Sequence, residues 1–161
     1  MNLTVAILIW FSMVSAGIMA GVYFTFSVFV MRSLAELGDE AGARAMQSIN
    51  EIIQRSLLLP LFFASTLACA ALVALGAMGL AGPQAWLLIA GGATYVIGMF
   101  VVTVIGNVPL NNRLDAVDAA SAEGAAMWRE YLARWTPLNH VRTAACTLAM
   151  GLFIAALQAG A

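Results

Sequence analysis

The chain has 161 residues, of which 63% are hydrophobic and only 9% charged, with a mean hydropathy of +0.93 and a net charge of −1. A water-soluble domain carries roughly 25% charged residues; a chain this small cannot hide that deficit in a core, so lipid is the missing solvent. Seven arginines, no lysine and eight acids nearly cancel, which excludes the basic footprint that nucleic acid demands.

The first uncharged stretch, Met1 to Met31, is longer than the roughly 7–15 apolar residues of a signal-peptide core, and no good cleavage signature ends it. It is predicted to be a retained membrane helix. Asp39–Arg55 is predicted to be an amphipathic helix, with Asp39 as its N-cap. Ala45, Ile49, Ile52 and Ile53 form its apolar stripe, and Gln47, Asn50 and Gln54 its polar side. It is expected to run into a second span, Ser56 to Ala81, with a bend at Pro60. Gly82-Pro83-Gln84 then forms a tight hairpin into a third span, Ala85 to Gly106. Ser121–Trp135 is a second amphipathic segment, with Ala125, Trp128, Leu132 and Trp135 on one face and a Glu130–Arg134 pair on another. The fourth span runs from about Pro137 to Ala159 with Arg142 its one charge, and Thr136-Pro137 reads as an N-cap with proline at the first helical position.

Each span meets the roughly 20 residues that a helix needs to cross the hydrocarbon, and isolated strands are excluded there because backbone groups must be satisfied internally. The expected fold is therefore all-α: a four-transmembrane-helix bundle, with spans at about 3–31, 56–81, 85–106 and 137–159 and amphipathic helices in the two long loops. It forms one integral membrane domain over residues 1–161. Every arginine lies in or beside the long loops. The positive-inside rule then puts those loops in the cytoplasm and both termini outside, in a cytoplasmic membrane of bacterial type. Gly17 and Gly21 form a G-x-x-x-G, which permits close helix approach inside one bundle or between subunits of a homo-oligomer.

Polar residues are concentrated where apolar ones would cost less. One cluster is Asn107-Val-Pro-Leu-Asn111-Asn112 and the other Trp135-Thr-Pro-Leu-Asn139-His140-Val-Arg142-Thr143. A histidine in the first turns of a helix feels the positive end of the dipole and stays neutral, as a general base must near pH 7. Arg142 at the same end is opposed by the dipole, so it is expected to have an anionic partner: Glu51, Asp115, Glu130 or a ligand oxyanion. Each residue also has a plainer reading. His140 fits a hydrogen-bonded interfacial histidine, Arg142 a salt bridge or lipid-phosphate contact, and the asparagines fit caps. Trp128 and Trp135 fit an interfacial aromatic belt, and the run Tyr23, Phe24, Phe26 and Phe29 fits lipid contact and core. One histidine and two mid-span cysteines, Cys69 and Cys146, do not make a His-rich copper or zinc site, and no cofactor is called for.

In its order of motifs the chain resembles the anthrone-oxygenase-like family of small four-helix membrane proteins. The matching pieces are Gly21-Val-Tyr-Phe-Thr-Phe-Ser-Val-Phe-Val-Met, Met46-Gln47-Ser-Ile-Asn50, Asn107-Val-Pro-Leu-Asn111 and Trp135-Thr-Pro-Leu-Asn139-His140-Val-Arg142-Thr143. The resemblance implies oxidation of anthrones or other electron-rich phenols to quinones by dioxygen, without an evident metal or flavin. The expected partners are thus a hydrophobic aromatic small molecule, O2 and the bilayer. On that reading His140 is the base, Asn107 and Asn139 are oxyanion donors, and Arg142 stabilises the enolate. Trp135 and Tyr23 would line the slot, with Gln47, Asn50 and Asn111 completing the substrate site. The rival class is a non-catalytic membrane protein that holds a lipid or quinone, or a scaffold in which these groups only join helices. Export of hydrophobes is disfavoured, because no acidic residue lies inside a span to couple protons.

Overall fold

The computed structural model describes residues 3–159, so the first two and last two positions of the expected domain lie outside it. Five helices account for nearly all of the described residues: α1 (Leu3–Glu36), α2 (Asp39–Gln54), α3 (Leu58–Ala77), α4 (Ala85–Asp115) and α5 (Ala122–Ala159). Four of them, all but α2, are long and apolar enough to cross a membrane, and the protein is an integral membrane protein. α1 packs between α5 and α3, and α4 packs between the same two, so the four spans close into a ring.

Helix length explains the shape. At 1.5 Å per residue, α1, α4 and α5 are about 45–57 Å long, against about 30 Å of hydrocarbon. The surplus falls on one side, where α1 and α4 end and α5 begins. Two cores follow. The membrane core contains Ile9, Met19, Leu72, Leu88, Tyr95 and Phe153. A second core, built on Met46, Leu114, Trp128, Tyr131 and Trp135, fills the projecting end beneath α2.

Several local expectations are corrected. Pro137 does not start a helix but lies inside α5; proline removes one backbone hydrogen bond, and the packing on both sides carries the helix through. The segment 121–135 is consequently the leading part of α5 and not a separate surface helix. Gly38, at φ 89°, is the N-cap of α2, a backbone conformation that favours glycine, while Asp39 pairs with Arg129 of α5. Pro60 is in the first turn of α3, where its missing N–H is no loss; α2 does not run into the span, because the chain turns at residues 55–57 between them. The buried face of α2 is Gly42, Ala43, Met46 and Asn50, and Ile52 is exposed. The Ala45/Ile49/Ile53 flank is half-buried. The hairpin begins earlier than expected, after Ala77, and turns through Gly79 and Gly82 at positive φ.

α1 and α4 are not uniformly α-helical. Phe26–Val30 in α1, and Val96–Val101 and Thr103–Asn107 in α4, are π turns. A π turn inserts a residue and leaves a carbonyl short of its usual partner; such bulges collect at functional sites. Phe26–Val30 and Thr103–Asn107 lie towards the projecting end, and Val96–Val101 precedes the latter on the hairpin side.

Candidate functional site

Towards the projecting end the bundle holds a cavity of about 410 Å³ to which all five helices contribute. Its wall is largely apolar, with Met19, Phe26, Met46 and Phe62 among the contributors, and the polar groups Tyr23, Asn50, Thr103, Asn111, Trp135 and Arg142 face it. A volume of this size suits a small-molecule ligand.

Arg142 dominates the electrostatics. It is 5% exposed. Its Nη2 donates to Asn139 Oδ1 at 2.7 Å and its Nη1 to Thr103 Oγ1 at 3.4 Å, while Nε has no partner. The guanidinium lies over the Tyr23 ring at 4.2 Å and the Trp135 ring at 4.9 Å, contacts that favour a cation. No carboxylate reaches it. None of the three carboxylates that the sequence offered is its partner, because each is engaged elsewhere. Glu51 pairs with Arg55, Glu130 with Arg113 and Arg134, and Asp115 accepts from Asn50. Every other arginine has a carboxylate. A buried cation with no counter-ion is costly.

Asn139 and Asn107 are fully buried beside the cavity, outside its wall. Asn139 Nδ2 donates to the Tyr23 carbonyl at 2.6 Å and Ser27 Oγ at 2.7 Å, joining α5 to α1 at the π turn while its Oδ1 holds Arg142. Asn107 Nδ2 donates to the Trp135 carbonyl at 3.3 Å, and its Oδ1 is unpartnered. Both amide N–H groups of Asn139 and one of Asn107 are therefore engaged between helices, and neither side chain lines the cavity where an oxyanion was expected. Asn111 Oδ1 accepts from Tyr131 at 2.8 Å and Trp135 Nε1 at 2.9 Å. Gln47 is absent from the wall: its amide caps the end of α4 by donating to the Leu114 and Val117 carbonyls.

His140 is the largest departure. It is exposed on the outer side of α5, away from the cavity wall. The cavity face of α5 is set by Trp135, Asn139, Arg142 and Cys146, at i, i+4, i+7 and i+11, all buried. One residue past Asn139 is about 100° further round the helix, so the imidazole turns outward. With the helix continuous through Pro137, His140 lies mid-helix and not at the N-terminus expected for it.

Trp128 and Trp135 do not form an exposed belt. With Tyr131 they make a buried column, Trp128 to Tyr131 at 5.8 Å and Tyr131 to Trp135 at 5.7 Å, tilted by less than 20°. Sequence reasoning missed Thr103, Ser27 and Tyr131; only Tyr131 left a signal, four residues before Trp135 on the same face. Among the described residues, no three of the His, Cys, Asp and Glu side chains converge as metal ligands would.

These features define a class: a small helical membrane protein with an internal cavity headed by an unneutralised arginine. The chain belongs to the anthrone oxygenase family, whose family model matches residues 52–152. That stretch contains the Asn107–Asn111 and Trp135–Thr143 motifs. No curated protein and no solved structure matches the chain.

Proposed function

We propose that this protein is a membrane-embedded oxygenase that oxidises an anthrone-like or phenolic hydrophobe to a quinone with dioxygen. The carrying observation is the carboxylate-free guanidinium of Arg142 facing a mainly apolar cavity of about 410 Å³. Family membership supports the reaction class.

An anthrone has a CH2 between two aromatic rings, opposite its ketone oxygen. Loss of one proton places negative charge on that oxygen. The enolate passes one electron to dioxygen, and the resulting superoxide recombines at the former CH2 carbon as a peroxide. Loss of water, carrying off the second C–H hydrogen, leaves the new carbonyl. The sum is anthrone plus O2 giving anthraquinone plus water. Arg142 lowers the proton affinity of the bound oxygen and stabilises the enolate. Trp135, Tyr23 and Phe26 offer flat walls to the rings, and Asn50 and Asn111 edge the polar end. Asn139 acts as a positioning residue, since it fixes the guanidinium.

His140, facing outward, has no part in this scheme. The wall contains no imidazole or carboxylate, so the ligand's proton leaves to solvent and the ionised form is the one held. The projecting end, which carries the arginines, faces the cytoplasm.

Oxygen uptake with anthrone, measured in one detergent for wild type and Arg142→Gln, tests the proposal. Loss of a charge-assisted contact corresponds to a fall of roughly 10- to 100-fold. Equal uptake by the two proteins would remove Arg142 from the reaction. No uptake by wild type would leave binding without turnover. A pure scaffold is disfavoured, because Arg142 is not locked to Glu51 or Glu130 and the space beside it is open.

A further inference from the structure

α3 and α4 leave the hairpin side by side, and their contact runs out part-way along. Leu58–Ala77 packs against Ala85–Val101 and parts from the π turn Thr103–Asn107. The last contact is a cluster of three rings, with Phe62 to Phe100 at 5.4 Å, Phe62 to Phe63 at 5.2 Å and Phe63 to Phe100 at 6.4 Å. At the cluster and beyond it, towards the projecting end, four side chains both line the cavity and lie on the outer surface: Phe63 (49% exposed) in the cluster itself, then Leu59 (39%), Val104 (45%) and Val108 (39%). A side chain that is at once cavity wall and outer surface marks an opening. All four are aliphatic or aromatic and belong to helices long and apolar enough to span. This opening therefore faces acyl chains. The polar end of the same cavity is edged by Gln54 and Asn112, both exposed, which offers a competing route from water.

We infer that the cavity is filled sideways from the bilayer, through a slot between α3 and α4 with the Phe62–Phe63–Phe100 cluster as its sill. The ligand is a lipophilic aromatic weak acid, such as a phenol or enolisable ketone, that leads with its oxygen. The charge at the inner end decides the orientation: Arg142 lines the cavity with no carboxylate paired to it, and a ligand oxyanion supplies the missing charge while the apolar body slides past Phe63 and Val104. The inference rests on reading the cavity as a ligand site, and is independent of the chemistry performed there. It makes Leu59, Phe63, Val104 and Val108 determinants of which hydrophobes enter.

The test uses 4-hydroxybenzophenone, a lipophilic phenol whose photoexcited ketone takes a hydrogen from a nearby C–H and then bonds to that carbon. Full-length protein in phosphatidylcholine vesicles is mixed with the probe and flashed after increasing delays. Adducts at the cavity methionines Met19 and Met46 are read by mass spectrometry. The expected result is cavity labelling in wild type, slowed about tenfold in the double variant Leu59→Trp/Val104→Trp because the encounter route is narrowed. The pair Gln54→Trp/Asn112→Trp should label at the wild-type rate. Slowing in the second pair alone assigns entry to the water-facing end and overturns the slot, and so does an unchanged rate in both. No cavity labelling in wild type overturns the ligand class. Equal final labelling at long delay shows that the slot variant keeps its fold and its site. If labelling behaves as expected while anthrone drives no oxygen uptake, the oxygenase reading falls and the entry route stands.

Discussion

A guanidinium carries five N–H groups, and Arg142 places two of its nitrogens on protein oxygens while Nε stays unpaired at 5% exposure. Replacing such a cation with an apolar residue of similar size is often neutral or stabilising. Arg142→Met should therefore melt in detergent no lower than wild type, although Asn139 Oδ1 loses its donor, and should abolish oxygen uptake. A fall in melting temperature matching the loss of activity would make the arginine a structural element. His140→Ala should keep oxygen uptake within about twofold of wild type, because an exposed side chain away from special contacts contributes little. Uptake lost in that variant, with melting unchanged, would return the imidazole to the site. The helical repeat alone already separates these residues: 135, 139, 142 and 146 share a face and 140 does not. The site was thus partly legible, and treating the Asn139-His140-Val-Arg142 run as one cluster ignored the rotation between neighbours.

At the level of elements, α2 is held against α5 by a close approach. A Cβ on Gly42 would stand 2.5 Å from the Leu34 carbonyl and 2.9 Å from Trp128 Cζ2. The first contact is with backbone and the second with a ring fixed in the Trp128–Tyr131–Trp135 column, so neither neighbour yields easily. Gly42→Ala should destabilise the protein by about 1–3 kcal/mol, seen as a lower melting temperature with the membrane spans still helical by circular dichroism. An unchanged melting temperature would show that α2 sits further from the column. The apolar stripe expected for α2 was displaced for the same reason. Gly42, Ala43 and Met46 fit beneath Trp128, whereas the bulkier Ile52 remains outside. The path through Pro137 was likewise not legible, because local preference favours a start there and only the packing of α5 on α1 and α4 overrides it.

For the whole molecule, the surplus length of three spans produces a head on one face, tied by Arg113 and Arg134 to Glu130 and by Arg129 to Asp39. Exposed, solvent-screened pairs of this kind contribute little, so the second apolar core holds the head together. If the head is cytoplasmic, as proposed, Ser48→Cys should react with a membrane-impermeant maleimide in inside-out vesicles, and Leu80→Cys in the hairpin only in right-side-out ones. Cys69 and Cys146 are buried and give little background. The opposite pattern would invert the topology.

Composition and hydropathy by themselves determined the solvent, the four spans, their order and the side that carries the charges, because each depends on stretches of residues averaged along the chain. Arg142, Trp135, Asn111 and Asn112 of the cavity wall were also legible as part of two polar runs in costly surroundings, while Tyr23 and Asn50 came to the site through the family resemblance. Only the tertiary structure decided that Arg142 has no acid, that the Asn107 and Asn139 amides bond between helices beside the cavity, and that His140 faces out. Those outcomes depend on how far each helix is rotated and where it bulges, and rotation is fixed by neighbours distant in the sequence.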